Sequence, residues 1–263
     1  MLNEATTHPV TRTGLDAAAL KPAEVDVARG AELPLETIAI DYEGREHLPS
    51  TETLRELAAD REVYLTTPVR ADGFDPLGDD SLLAKLPAGI NRVLVAGHGA
   101  YLEETEAEKA VSPRIGAAVE EAPDAWVGTE GIERVALATG GAQYELLSRT
   151  TDDDVRGLRA AGFDGEIVVY APTVLSDDED AILDAVGEYV ARRRPVARAL
   201  PDGATIGADA TDRAREVLSA AVRDFAIVGD VGTVRERVQE LKDAGATRVV
   251  GYPARGIDDF LAR

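Results

Sequence analysis

The residues of this chain that could do chemistry are few and widely spaced. His98, in Ala96-Gly97-His98-Gly99, is one of only three histidines. An imidazole there either exchanges a proton near neutral pH or caps loop backbone groups. Arg70 follows Thr66 and Thr67 and offers a fork for a carboxylate or phosphate, or for an internal pair with Asp72 or Asp75. Glu130 reads as an acid–base carboxyl, or as a cap or solvated loop group. Thr139-Gly140-Gly141 lets the backbone approach an anion, with the amides of Gly141, Ala142 and Gln143 aimed from a helix N-terminus. The same pair also makes a plain strand-to-helix turn. Asp41, Tyr42 and Glu43 close one apolar run, and Lys21 closes another in a chain with only four lysines. A desolvated lysine forms Schiff bases, whereas a solvated one is an ordinary paired cation. Tyr170, Tyr252 and Arg255 complete the set. The histidines lie far apart and form no HxH or HxxxH, so no metal site is expected.

What unites these residues is position, because each ends or follows a short apolar run. The runs are 15–21, 37–42, 63–67, 92–97, 125–130, 135–139, 166–170 and 248–252. Helical patterns separate most of them: 50–59, 81–86, 103–121 with a break at Pro113, 152–161, 176–194 capped by Ser176, and 211–223. Apolar runs alternating with helices mean a parallel sheet covered by helices. Eight of them predict a closed (β/α)8 TIM-type barrel, whose chemistry sits at the C-terminal strand ends. The first strand lacks the GxGxxG of a dinucleotide fold. Residues 1–13 read as a flexible arm, residues 14–263 as one barrel domain, and 195–209 as an inserted loop.

The stretch FAIVGDVGTVRERVQELKDAGATRVVGYP, residues 225–253, carries the clearest local grammar. Thr233 and Glu236 form a capping box. Val234, Val238, Leu241 and Ala244 make one apolar stripe, Gly245 ends the helix, and Arg248–Tyr252 is a buried strand stopped by Pro253.

Composition sets the environment. There is no cysteine, which excludes disulfide and thiolate chemistry. The formal net charge of −21, from 49 acidic against 28 basic residues, repels nucleic acid and anionic membranes. The acids are dispersed along the chain, as in adaptation to a salt-filled cytoplasm where screening tames self-repulsion. No run approaches the length of a membrane span, and the first residues lack a signal-peptide core. The expectation is a cytoplasmic protein from a salt-adapted organism acting on a small molecule, with no nucleic-acid or membrane partner. A homodimer is left open.

Two segments carry a family resemblance. Residues 135–149, VALATGGAQYELLSR, and the closing IVGDVGTVRERVQELKDAGATRVV resemble the bacterial luciferase-like superfamily of flavin-dependent monooxygenases and deazaflavin-dependent reductases. IVVYAPTVLSDDEDAILDAVGEYVARR, between them, resembles its penultimate strand and long helix. The resemblance spans about residues 134–251. It implies an oxidoreductase with FMN or a deazaflavin, its phosphate held by Thr139, Gly140, Gly141, Ala142 and Gln143. Thr66 and Thr67 would also contact the cofactor, and His98, Arg70 and Glu130 would act near the reacting centre. The alternatives are a cofactor-free lyase or aldolase barrel using Lys21 or Glu130, and a barrel that only binds.

Overall fold

A computed structural model describes residues 8–70, 86–96, 104–128 and 137–262. Among the described residues, nine parallel strands form one sheet: β1 (Ala17–Leu20), β2 (Thr37–Ile40), β3 (Glu62–Val69), β4 (Ile90–Ala96), β5 (Trp126–Gly128), β6 (Ala142–Leu146), β7 (Ile167–Leu175), β8 (Ile227–Gly229) and β9 (Arg248–Pro253). Each of the first seven pairs with the next, β7 also pairs with β9, and β9 closes on β1. The result is the expected closed eight-stranded parallel barrel. β8 stands outside the ring. Its ladder runs along Thr173–Leu175, where β7 runs past the rim, and Gly229 adds an antiparallel bridge to Ser176.

Helices cover the outside: α1 (Thr51–Asp60), α2 (Ser112–Glu121), α3 (Thr151–Ala160), α4 (Glu179–Ala191), α5 (Arg194–Ala199), α6 (Asp212–Phe225), α7 (Val231–Ala244) and α8 (Asp258–Leu261). Side chains cap the starts of α1, α4 and α7. Ser50 accepts from the Thr53 amide at α1, as its sequence suggests. α4 is capped by Asp178 and not Ser176, and α7 by Asp230 and not Thr233, because each aspartate reaches amides one turn in. Gly245 ends α7 at φ 121°, a left-handed value that glycine tolerates. α5 occupies part of the 195–209 stretch expected as a loop, and α4 and α6 bury their apolar faces against it. From His8 onward the expected arm is docked: Val10 is fully buried, and His8 Nδ1 lies 2.9 Å from the Leu261 carbonyl.

One strand differs from expectation. Residues 137–139, inside the expected sixth strand, are helical, and Leu137 is exposed. The sixth strand is instead Ala142–Leu146, beyond the two glycines. Its alternation places Ala142, Tyr144 and Leu146 in the lumen and turns Gln143 outward, buried, with its amide donating to the Gly141 carbonyl at 2.7 Å.

The lumen is packed, with small residues facing large ones. Ala17, Ala19 and Ala39 on β1 and β2 leave room for Tyr64, Trp126, Tyr144 and Tyr170 from the other strands. At the N-terminal floor Arg248 bridges two carboxylates. It pairs with Glu62, and its Nε lies 2.5 Å from Glu166 Oε1. Glu62 accepts from the Tyr64 hydroxyl (3.0 Å) and Glu166 from Trp126 Nε1 (3.0 Å). This network closes the lumen below, and the C-terminal mouth is the end left open to a bound substrate.

Candidate active site

The mouth is built from strand ends. Lys21 follows β1, Asp41 follows β2, Tyr170 and Tyr252 lie within β7 and β9, and Glu24 and Glu43 come from the adjoining loops. The β2 end is fixed by backbone and side chain. The Asp41 amide donates to the Leu20 carbonyl at 2.9 Å, and the Tyr42 amide donates to Thr66 Oγ1. Asp41 therefore enters the lumen at a set height. Its Oδ2 accepts from the Tyr170 hydroxyl at 3.2 Å.

Burial pushes the Asp41 carboxyl from its ordinary 3.8 up to about 6. The Lys21 charge and the Tyr170 hydrogen bond oppose that rise, while Glu43 and Glu24 add to it. The Tyr170 phenol is pushed well above its ordinary range by burial and then by the Asp41 charge, so it remains a donor. Lys21 Nζ lies 3.4 Å from Glu24 Oε1 and 4.0 Å from the centre of the Tyr252 ring. The Tyr252 hydroxyl donates to Glu24, and Glu43 Oε2 accepts from the Ala23 amide at 2.8 Å. The arrangement is a carboxyl poised near neutral pH, a phenol that holds it, and one cation. It suits proton exchange with a small bound molecule.

The residues singled out in the sequence fare differently. Thr66 is at the mouth and orders β2. Thr67 points outward, fully buried, its Oγ1 donating to the Leu65 carbonyl at 3.3 Å. Arg70 follows β3, and its guanidinium is engaged by Glu106, with Nε to the two carboxylate oxygens at 3.0 and 2.8 Å. Glu106 is fully buried, so a carboxylate of this chain takes the place expected for a ligand anion. His98 and Glu130 lie outside the described residues. The expected order of strand, Gly-Gly and helix is corrected. Gly140, at φ 71°, and Gly141 precede β6, and the Gln143 amide donates to the Glu166 carbonyl at 2.9 Å. Thr139–Gln143 thus enter the strand at the floor end, with no helix N-terminus following them. A Cβ on Gly141 would meet Val127 Cγ2 at 2.9 Å, so packing explains that glycine.

Sequence reasoning placed Asp41 and Tyr170 on the rim but did not join them. The strand-end rule was the available signal, and the contact spans 129 positions. Glu24 and Glu106 carried no signal of their own.

An F420-dependent secondary alcohol dehydrogenase, solved in complex with an F420-acetone adduct, has a similar fold. The TM-score is 0.56 at 11% identity, over 90% of this chain and 92% of that one. No curated protein sequence matches the chain. The model of a family of unknown function, DUF7388, matches residues 10–260, and the chain belongs to that family.

Proposed function

We propose that this protein is an oxidoreductase of the deazaflavin-using kind, in which Asp41 and Tyr170 handle the proton of a small alcohol or carbonyl substrate. The observation that carries the reading is the Asp41–Tyr170 pair, buried at the C-terminal mouth of a barrel shared with an F420-dependent enzyme. A bound deazaflavin would supply the hydride chemistry. The chain's own residues do the rest. Asp41 takes the hydroxyl proton in oxidation and returns it in reduction. Tyr170 orients the carboxyl, Lys21 favours its charged form, and the rings beneath exclude water.

The described residues fit the reacting centre better than they fit a phosphate. α3 opens on Asp152, Asp153 and Asp154, and the starts of α4 and α7 are already filled by Asp178 and Asp230. The described mouth offers an anionic group Lys21, which Glu24 shares, and Arg255, which Asp259 shares.

A second reading is favoured by Lys21 itself, which lies close enough for its charge to act on Asp41. In it a cofactor-free lyase or aldolase forms a Schiff base on Lys21, with Asp41 as the acid–base group.

Fluorescence titration of the protein with F420 and with FMN, in high KCl, separates the two. The oxidoreductase reading expects micromolar binding, and alcohol oxidation that rises with pH through about 6 and is lost in Asp41→Asn. No binding of either by folded protein, together with a borohydride-trapped carbonyl adduct on Lys21, sinks it in favour of the lyase.

A further inference from the structure

The barrel lumen holds four of the seven tyrosines and the single tryptophan of the chain. Their rings form a continuous series from floor to mouth. Tyr64 and Trp126 stack with centroids 3.6 Å apart, and the steps to Tyr144, Tyr170 and Tyr252 are 5.9, 6.0 and 6.5 Å. Four members hold their protons on carboxylates. Tyr64 donates to Glu62, Trp126 to Glu166, Tyr170 to Asp41 and Tyr252 to Glu24. Packing alone does not ask for this composition, because phenylalanine fills a core without needing a polar partner. The described phenylalanines, Phe163, Phe225 and Phe260, all lie in clusters outside the lumen. The chain has no cysteine, and its one methionine is Met1, so tyrosine and tryptophan are its main oxidisable side chains.

We propose that this series conducts single oxidising equivalents through the barrel, from a one-electron oxidant at the mouth, such as an oxygen-derived radical, to a small one-electron donor at the floor. The oxidant takes one electron from Tyr252, whose phenolic proton passes to Glu24. Tyr170 then reduces that radical. Glu24 returns its proton to Tyr252, and the Tyr170 proton moves to Asp41. Tyr144 reduces Tyr170 in turn as Asp41 returns its proton to Tyr170; Tyr144 releases its own proton to solvent and takes one back when Trp126 reduces it. Trp126 gives its indole proton to Glu166, which returns it when Tyr64 reduces Trp126 and passes its own phenolic proton to Glu62. The donor supplies one electron to Tyr64, Glu62 returns the proton, and every residue is restored. The net change is one electron moved from donor to oxidant. A cleft of about 830 Å³ at the floor, lined in part by Thr37, Glu62 and Arg248, gives the donor its approach. Burial keeps the phenols protonated until an electron leaves: Tyr64, Tyr170 and Tyr252 are all held above the ordinary phenol range, burial being the largest cause.

The test needs no cofactor, so its outcome is independent of the oxidoreductase assignment. Arg255→Cys, just past β9, provides a unique thiol at the mouth for a ruthenium tris-bipyridine label, which a flash and a sacrificial quencher convert to a one-electron oxidant. Transient absorption and electron paramagnetic resonance should then detect a tryptophanyl radical at Trp126, quenched faster when ascorbate is added. Adding Tyr144→Phe should abolish the Trp126 signal and leave a tyrosyl radical near the mouth. Tyr144→Trp should restore transfer, which a merely structural role for Tyr144 would not produce. Unfolding curves check that each variant keeps its fold. Absence of a Trp126 radical in the labelled parent, or an unchanged Trp126 yield in folded Tyr144→Phe, overturns the proposal.

Discussion

Replacing Asp41 with asparagine should stabilise the protein at neutral pH, although it removes a hydrogen-bonded carboxylate. In the folded chain the carboxyl titrates near 6, against an ordinary value of 3.8. The native state therefore binds more protons than the unfolded chain between those values. Stability falls as pH rises through that window, and the full cost stands above about pH 6. At about 1.4 kcal/mol per pH unit, the displacement corresponds to about 3 kcal/mol. Asp41 keeps some solvent contact, so a gain of about 1–3 kcal/mol is the working figure. Asparagine matches the protonated carboxyl in shape, accepts from Tyr170 as before, and does not titrate. Urea unfolding of both proteins at half-unit steps from pH 4 to 8 measures the effect. The difference should be near zero at the acid end, open in favour of Asp41→Asn up to about pH 6, and then level off. Since the rest of the acidic surface is common to both proteins, its titration cancels. A pH-independent difference, or one that turns against the variant as pH rises, would refute the argument that burial dominates at Asp41.

Two further substitutions test the architecture around the site. Gly245→Ala places a Cβ at φ 121° and 2.7 Å from Arg159 Cγ, in the side chain whose guanidinium holds the Gly245, Phe163 and Gly165 carbonyls. A loss of about 1–3 kcal/mol in denaturant unfolding is expected, and an unchanged midpoint would show that the turn relaxes freely. Asp230→Ala should lower the melting temperature of the barrel by more than Thr233→Ala does, because the Asp230 carboxylate holds the Thr233 amide at 2.7 Å. The reverse order in a calorimetric comparison would restore Thr233 as the cap.

The barrel was legible because most of its strands are buried on both faces and read as unbroken apolar runs. β2, Thr-Ile-Ala-Ile, has no exposed residue, and the core of β7 is the same. The sixth strand failed that test for a physical reason. Ala142-Gln143-Tyr144-Glu145-Leu146 looks polar because Gln143 is satisfied by the Gly141 carbonyl and Tyr144 sends its ring into the lumen. The more apolar Val-Ala-Leu-Ala-Thr before it became the decoy, and the glycine pair was read at the wrong end of the barrel. Caps were legible as a type but not as a residue, because Asp230 and Thr233 both satisfy the local grammar and only geometry chooses.

The site shows where local reading stops. The strand-end rule brings Asp41 to the mouth from sequence alone. What pairs Asp41 with Tyr170 is closure of the ring, which sets β7 across the lumen from β2 and brings the Tyr170 hydroxyl onto the carboxyl. Arg70 makes the same point in reverse. Its fork was rightly read as a carboxylate binder, but Glu106 on the segment after β4 fills it from within the chain. A residue's chemical type is local, whereas its partner is set by topology. In this barrel the partner decides whether a charged group is left for a substrate.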